Sequence, residues 1–61
     1  MYIYAKIGTW PMGKYKALRK RVPPRVGDML TLRGFDDWED YRVRVTEIKQ
    51  IPQRLYCVER M

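Results

Sequence analysis

Apolar and polar positions alternate through most of this chain, and the alternation predicts strands. Tyr2 to Ile7 places Ile3, Ala5 and Ile7 on one face, with Gly8 ending the run. Met29 to Arg33 repeats the pattern, with Leu30 and Leu32 inward. Tyr41 to Thr46 is the cleanest case: Tyr41, Val43 and Val45 face in, and Arg42, Arg44 and Thr46 face out. Ile48 falls out of that phase, which predicts a bulge or a strand end near Glu47. Leu55 to Glu59 reads as a last strand with Leu55 and Cys57 on one face, so Cys57 is expected as a small buried hydrophobe. The expected core is Ile3, Ile7, Leu30, Leu32, Tyr41, Val43, Val45 and Leu55. Trp10-Pro11-Met12-Gly13, Gly27-Asp28 and Gln50 to Gln53 supply the turns, and Gly34 to Asp40 forms a polar, acidic connection.

The stretch from Lys14 to Arg25 fits no strand pattern as clearly. Tyr15, Leu18 and Val22 share one helical face, so a short helix over Lys14–Arg21 fits, closed by Pro23-Pro24 because a residue before proline avoids the helical region. An extended arm fits as well. Four strands with tight connections predict a single domain spanning residues 1–61. It is all-β, or mainly β with one short helix, and its architecture is a small antiparallel barrel or strongly bent sheet of four to five strands. Pro24-Arg25-Val26-Gly27-Asp28-Met29-Leu30-Thr31-Leu32, followed by Tyr41-Arg42-Val43-Arg44-Val45, resembles the Val-Gly-Asp, strand, hairpin, strand pattern of SH3-like small barrels. Tudor and KOW-type modules share that pattern. The resemblance covers under half of the chain and implies a fold class, with no activity attached. The Tudor aromatic cage and the Gly-rich KOW stretch have no counterpart here.

Sixty-one residues make a small core, since chains of this size bury only about 60% of their unfolded surface. Cys57 is alone, so no intrachain disulfide can help, and homodimerisation is one remaining aid. The chain has no Ser, Asn or His, which removes Ser-His-Asp and Cys-His nucleophile arrangements and histidine-based proton transfer. A non-enzyme with no catalytic residues, cofactor or metal is expected. A free thiol, no signal-peptide pattern and no apolar run long enough to span a bilayer point to a cytoplasmic protein with no membrane partner.

Charge changes the picture most. The net charge is +6, and the whole excess lies between Lys14 and Arg25. Lys14, Lys16, Arg19, Lys20, Arg21 and Arg25 stand there with no anion among them. Such a localised field suits phosphate. The expected function is non-enzymatic binding of DNA or RNA, with those six cations on the backbone, Arg42 and Arg44 in support, and Trp10 or Tyr15 stacking on bases. The bland alternatives are a solvated loop for the segment, cross-strand ion pairs for Arg33, Arg42 and Arg44, and barrel capping for Trp10. The cluster Asp36, Asp37, Trp38, Glu39 and Asp40 forms the opposite pole. Its ligand spacing does not fit a calcium loop, and Trp38 is expected either to fold back on the sheet or to anchor a protein contact. A protein-interaction module is therefore the alternative function, such as a small regulator of the phage or plasmid type that docks on a host protein through the basic arm or the Trp38 loop. A third reading pairs the basic arm of one copy with the acidic hairpin of another.

Overall fold

Alternating strands bury one face, and with so few residues the economical way to hide both that face and the sheet edges is closure. The computed structural model, which describes residues 1–61, closes. Its strands are β1 (Tyr2–Ile7), β2 (Gly13–Ala17), β3 (Met29–Gly34), β4 (Asp40–Lys49) and β5 (Leu55–Arg60), neighbours in that order around a barrel. The protein is all-β, with no helix. Consecutive strands pair antiparallel, so with an odd number β1 and β5 must run in the same direction. They close the barrel as a parallel pair, with Ala5 opposite Tyr56 and Ile7 opposite Val58.

The core holds Ile3, Ala5, Ile7, Ala17, Leu30, Leu32, Val43, Val45, Tyr56 and Val58, with Tyr15, Tyr41 and Ile48 packed against it. Six of the expected core residues are buried, while Tyr41 and Leu55 are half-buried. The phase of β5 is the reverse of the expectation: Tyr56 and Val58 point inward, and Leu55 and half-buried Cys57 face out. Leu-Tyr-Cys-Val is apolar on both faces, so alternation alone did not orient it. Its register against Ala5 and Ile7 did. The bulge falls where β4 loses phase, between Val45 and Glu47, and the hydroxyl of the extra residue, Thr46, donates to the Cys57 carbonyl at 3.0 Å.

The helix over Lys14–Arg21 does not form. Gly13, Tyr15 and Ala17 take the inner phase of β2, and Lys14 and Lys16 the outer one. A strand here is what β1 and β3 need, because each would otherwise present an open edge. Past Ala17 the chain turns through Arg19 at φ 59°. Val22 stays exposed, and Pro24 is buried instead. The Gly27-Asp28 turn forms as expected. Gly27 takes φ 93°, and the Asp28 carboxylate accepts from the Arg25 backbone N–H (2.9 Å) and from Lys20 Nζ (3.1 Å).

Strand direction sorts the loops. The 8–12 and 35–39 connections lie at one end of the barrel, and the 18–28 and 50–54 connections at the other. The acidic hairpin and the basic loop therefore occupy opposite ends of a molecule measuring 27 × 23 × 20 Å. None of the six cations from Lys14 to Arg25 pairs with a carboxylate of Asp36–Asp40.

Candidate nucleic-acid interface

The outer face of the barrel wall follows from the register. Tyr2, Lys16, Arg33 and Asp40 form one cross-strand row, and Tyr4 and Lys14 form a second beside it. Thr31 lies opposite Arg42, and Met29 opposite Arg44. The hairpin centre thus falls between Asp36 and Asp37, one residue earlier than symmetry about Asp37-Trp38 would place it. The parity is the same, so Arg33 keeps the face of Arg42 and Arg44.

Only three ion pairs form, leaving ten of the thirteen cations without one. Arg33 binds Asp40 through two nitrogens, Nε at 2.8 Å and Nη2 at 3.2 Å. Arg44 pairs with Glu59, so for Arg33 and Arg44 ordinary cross-strand pairing prevails. Lys20 is occupied by Asp28. Lys14, Lys16, Arg19 and Arg42 on or beside the wall are free, as are Arg21 and Arg25 in the loop beyond it.

Three shallow recesses follow one another along the outer face of β3. The first is lined by Arg19, Lys20, Thr31 and Arg42, with Leu18, Met29, Leu30 and Met61, and holds no acidic side chain. The second shares Leu18, Arg19 and Thr31 with it and adds Arg33 and Asp40. The third shares Arg33 and is formed by Tyr2, Lys16, Gly34, Phe35 and Trp38. At that end Tyr2 and Phe35 stack, with centroids 5.4 Å apart and planes at 28°, and Lys14 Nζ stands 5.6 Å from the Tyr2 ring.

The aromatics here are not those the sequence singled out. Tyr15 is half-buried against the core and meets Tyr41 edge-on at 6.4 Å; burial, followed by Asp37 and Asp36, raises its pKa. Trp10 meets Tyr41 edge-on at 5.4 Å, and the Arg60 guanidinium lies 5.4 Å from Trp10 and 5.5 Å from Tyr41. Arg60 pairs with Val43 and so takes the inner phase of β5, so this trio caps one mouth of the barrel. Tyr2, Tyr4, Phe35 and Trp38 are the exposed aromatics of the wall and hairpin. The outward phase of Tyr2 and Tyr4 was readable from Ile3, Ala5 and Ile7; the positions of Phe35 and Trp38 depend on the hairpin turn and were not. Trp38 does not fold flat on the sheet. It takes φ 56° and remains 69% exposed.

Asp37 shapes that turn. One carboxylate oxygen accepts the Glu39 backbone N–H at 2.9 Å, and the other accepts the Tyr41 hydroxyl. Gly34 lies beneath it, and a Cβ there would displace the Asp37 carboxylate. The Tyr41 hydrogen bond to Asp37 pushes the phenol up to about 12. The same bond, with the Glu39 N–H, holds Asp37 below its usual value. Arg33 does this for Asp40, and the Arg25 N–H followed by Lys20 does it for Asp28. No three carboxylate or thiol groups converge as a metal site would require.

The three lowered carboxylates predict acid sensitivity. Each favours its ionised form in the folded state, so its contribution is complete above the ordinary value of 3.8 and is lost as pH falls through the lowered folded value. The thermal midpoint should be flat from neutrality to about pH 5 and decline below about pH 4. Asp28→Asn should remove part of that decline. A midpoint independent of pH down to about 2 would contradict these assignments.

Fold and surface together define a class: a small closed β-barrel whose wall carries unpaired cations beside exposed aromatic rings. No protein family, curated protein or solved structure matches the chain.

Proposed function

We propose that this barrel is a non-enzymatic nucleic-acid-binding domain that holds a phosphate backbone along the outer face of β3. The carrying observation is the recess of Arg19, Lys20, Thr31 and Arg42, which is lined by no acidic side chain and continues past the Arg33–Asp40 pair towards Lys16. Guanidinium groups and a hydroxyl suit phosphate oxygens, and unpaired cations bind them with release of counterions. The basic segment contributes in two parts. Lys14 and Lys16 stand on the wall and Arg19 beside it, while Lys20, Arg21 and Arg25 extend the field at the loop end. Arg42 supports the recess, and Arg44 is engaged by Glu59. A reaction is disfavoured because Asp37, which lines the cleft of Lys14, Tyr15 and Asp36, is already an acceptor for Tyr41 and held ionised, which makes it a weak proton acceptor.

The test is a titration with labelled oligonucleotides at several salt concentrations. With Lys14, Lys16, Arg19 and Arg42 each on a phosphate, log affinity against log salt should slope at about −2.8 for a single strand or about −3.6 for a duplex. No binding, or a flat slope, would refute the proposal. Exposed Trp38 between Asp37 and Glu39 favours one other reading, docking on a basic protein surface. That reading gains if a complex survives nuclease and is lost on Trp38→Ala.

A further inference from the structure

Resting on that reading, we infer that the strand bound is single, and that the recess between Tyr2, Phe35 and Trp38 seats an unpaired base. Four observations carry this. Trp38 is 69% exposed and Phe35 40%, although both are large apolar groups that a domain so short of core would bury if the fold allowed it. Phe35 already lies on Tyr2 in a stacked pair, leaving a preformed aromatic surface at the rim of a recess of about 160 Å³. The floor beneath is the backbone of Gly34, which takes the inner phase of β3 opposite Tyr15 and presents no side chain to the recess. The walls carry unpaired Lys16, with unpaired Lys14 beside Tyr2 and with Arg33 held by Asp40, so a base entering the recess brings its phosphates towards the two lysines.

Charge decides the occupant. An apolar peptide would satisfy the rings and leave Lys14 and Lys16 without partners. A nucleotide satisfies both when its base meets the rings and its phosphates lie on the lysine side, away from the Asp36, Asp37 and Glu39 carboxylates that would repel them. Stacking on aromatic rings requires a base free of its pair, which a duplex does not offer along its length. The track continues from this recess through Arg33 to the Arg19–Arg42 recess, where the next phosphates lie. The 2′ position has no dedicated partner in this arrangement, so deoxyribose and ribose strands share the chemistry.

The experiment compares oligothymidylate and oligouridylate, each about a dozen nucleotides long, with a mixed-sequence duplex of equal length. Affinity is read by anisotropy of a labelled strand on the intact chain. Either single strand, or both, should bind more tightly than the duplex. Phe35→Ala and Trp38→Ala should each weaken single-strand binding about 5- to 150-fold, the range for loss of one stacked base. Duplex affinity should remain within about twofold, because phosphate contacts are untouched. Phe35→Trp should restore the loss, which separates stacking from a damaged fold. Equal affinity for single strand and duplex, or unchanged binding in both alanine variants, overturns the base seat and leaves the phosphate track standing. Failure of every oligonucleotide to bind overturns both.

Discussion

Replacing Lys14, Lys16, Arg19 and Arg42 together with glutamine should lower affinity for a single strand about 600-fold at about 0.1 M salt and flatten the salt slope towards zero. The size follows from counterion release, since each neutralised phosphate contributes about 0.7 to the exponent and four act together. All four side chains project from the barrel or its edge without an ion-pair partner, so their removal takes no salt bridge from the fold. Circular dichroism of the variant should match the parent. Arg21→Gln with Arg25→Gln is the comparison that locates the footprint: these lie in the loop beyond the wall and should cost far less. Equal losses from the two sets would move the interface to the loop end of the barrel.

Leu32→Ala should be the most damaging single substitution to the fold. Leu32 is fully buried between Ala17 and Tyr41 on the neighbouring strands. Truncating a buried leucine costs about 2–5 kcal/mol, against a total of about 3–9 kcal/mol for a domain of this length. At about 4–8 °C per kcal/mol, the melting midpoint should fall by at least about 8 °C. Thr31→Ala, one residue away but on the outer face, should change it little. A loss at Thr31 equal to that at Leu32 would mean that β3 is turned the other way.

Much of the barrel was readable from period-two alternation, because β1, β3 and β4 each bury one face only. Two elements were not, for different reasons. In β2 the apolar spacing of Tyr15, Leu18 and Val22 imitates a helix, while the true inner residues, Gly13 and Ala17, carry too little hydrophobic signal to oppose it. In β5 both faces are apolar, and only the pairing with β1 selects Tyr56 and Val58. The charge excess was also plain in the sequence, but its division was not. Strand formation places Lys14 and Lys16 on the wall, and Asp28 takes Lys20 out of play. The rings proposed to stack are Tyr2, Phe35 and Trp38 in place of Trp10 and Tyr15, because Trp10 and Tyr15 both pack edge-on against Tyr41 in this narrow barrel.

The parallel seam between β1 and β5 bears on how the chain folds. Each antiparallel neighbour can form by local zipping across a short connection, but Ile7 meets Val58 from fifty-one residues away. Loop-closure entropy is thus committed before the seam returns any contact, and contacts so distant in sequence slow folding. Until that meeting β1 and β5 each expose an unpaired edge beside strongly apolar inner rows. The net charge of +6 on so short a chain opposes the approach of two half-made copies during that interval, so the charge excess bears on the nascent sheet as well as on the finished barrel.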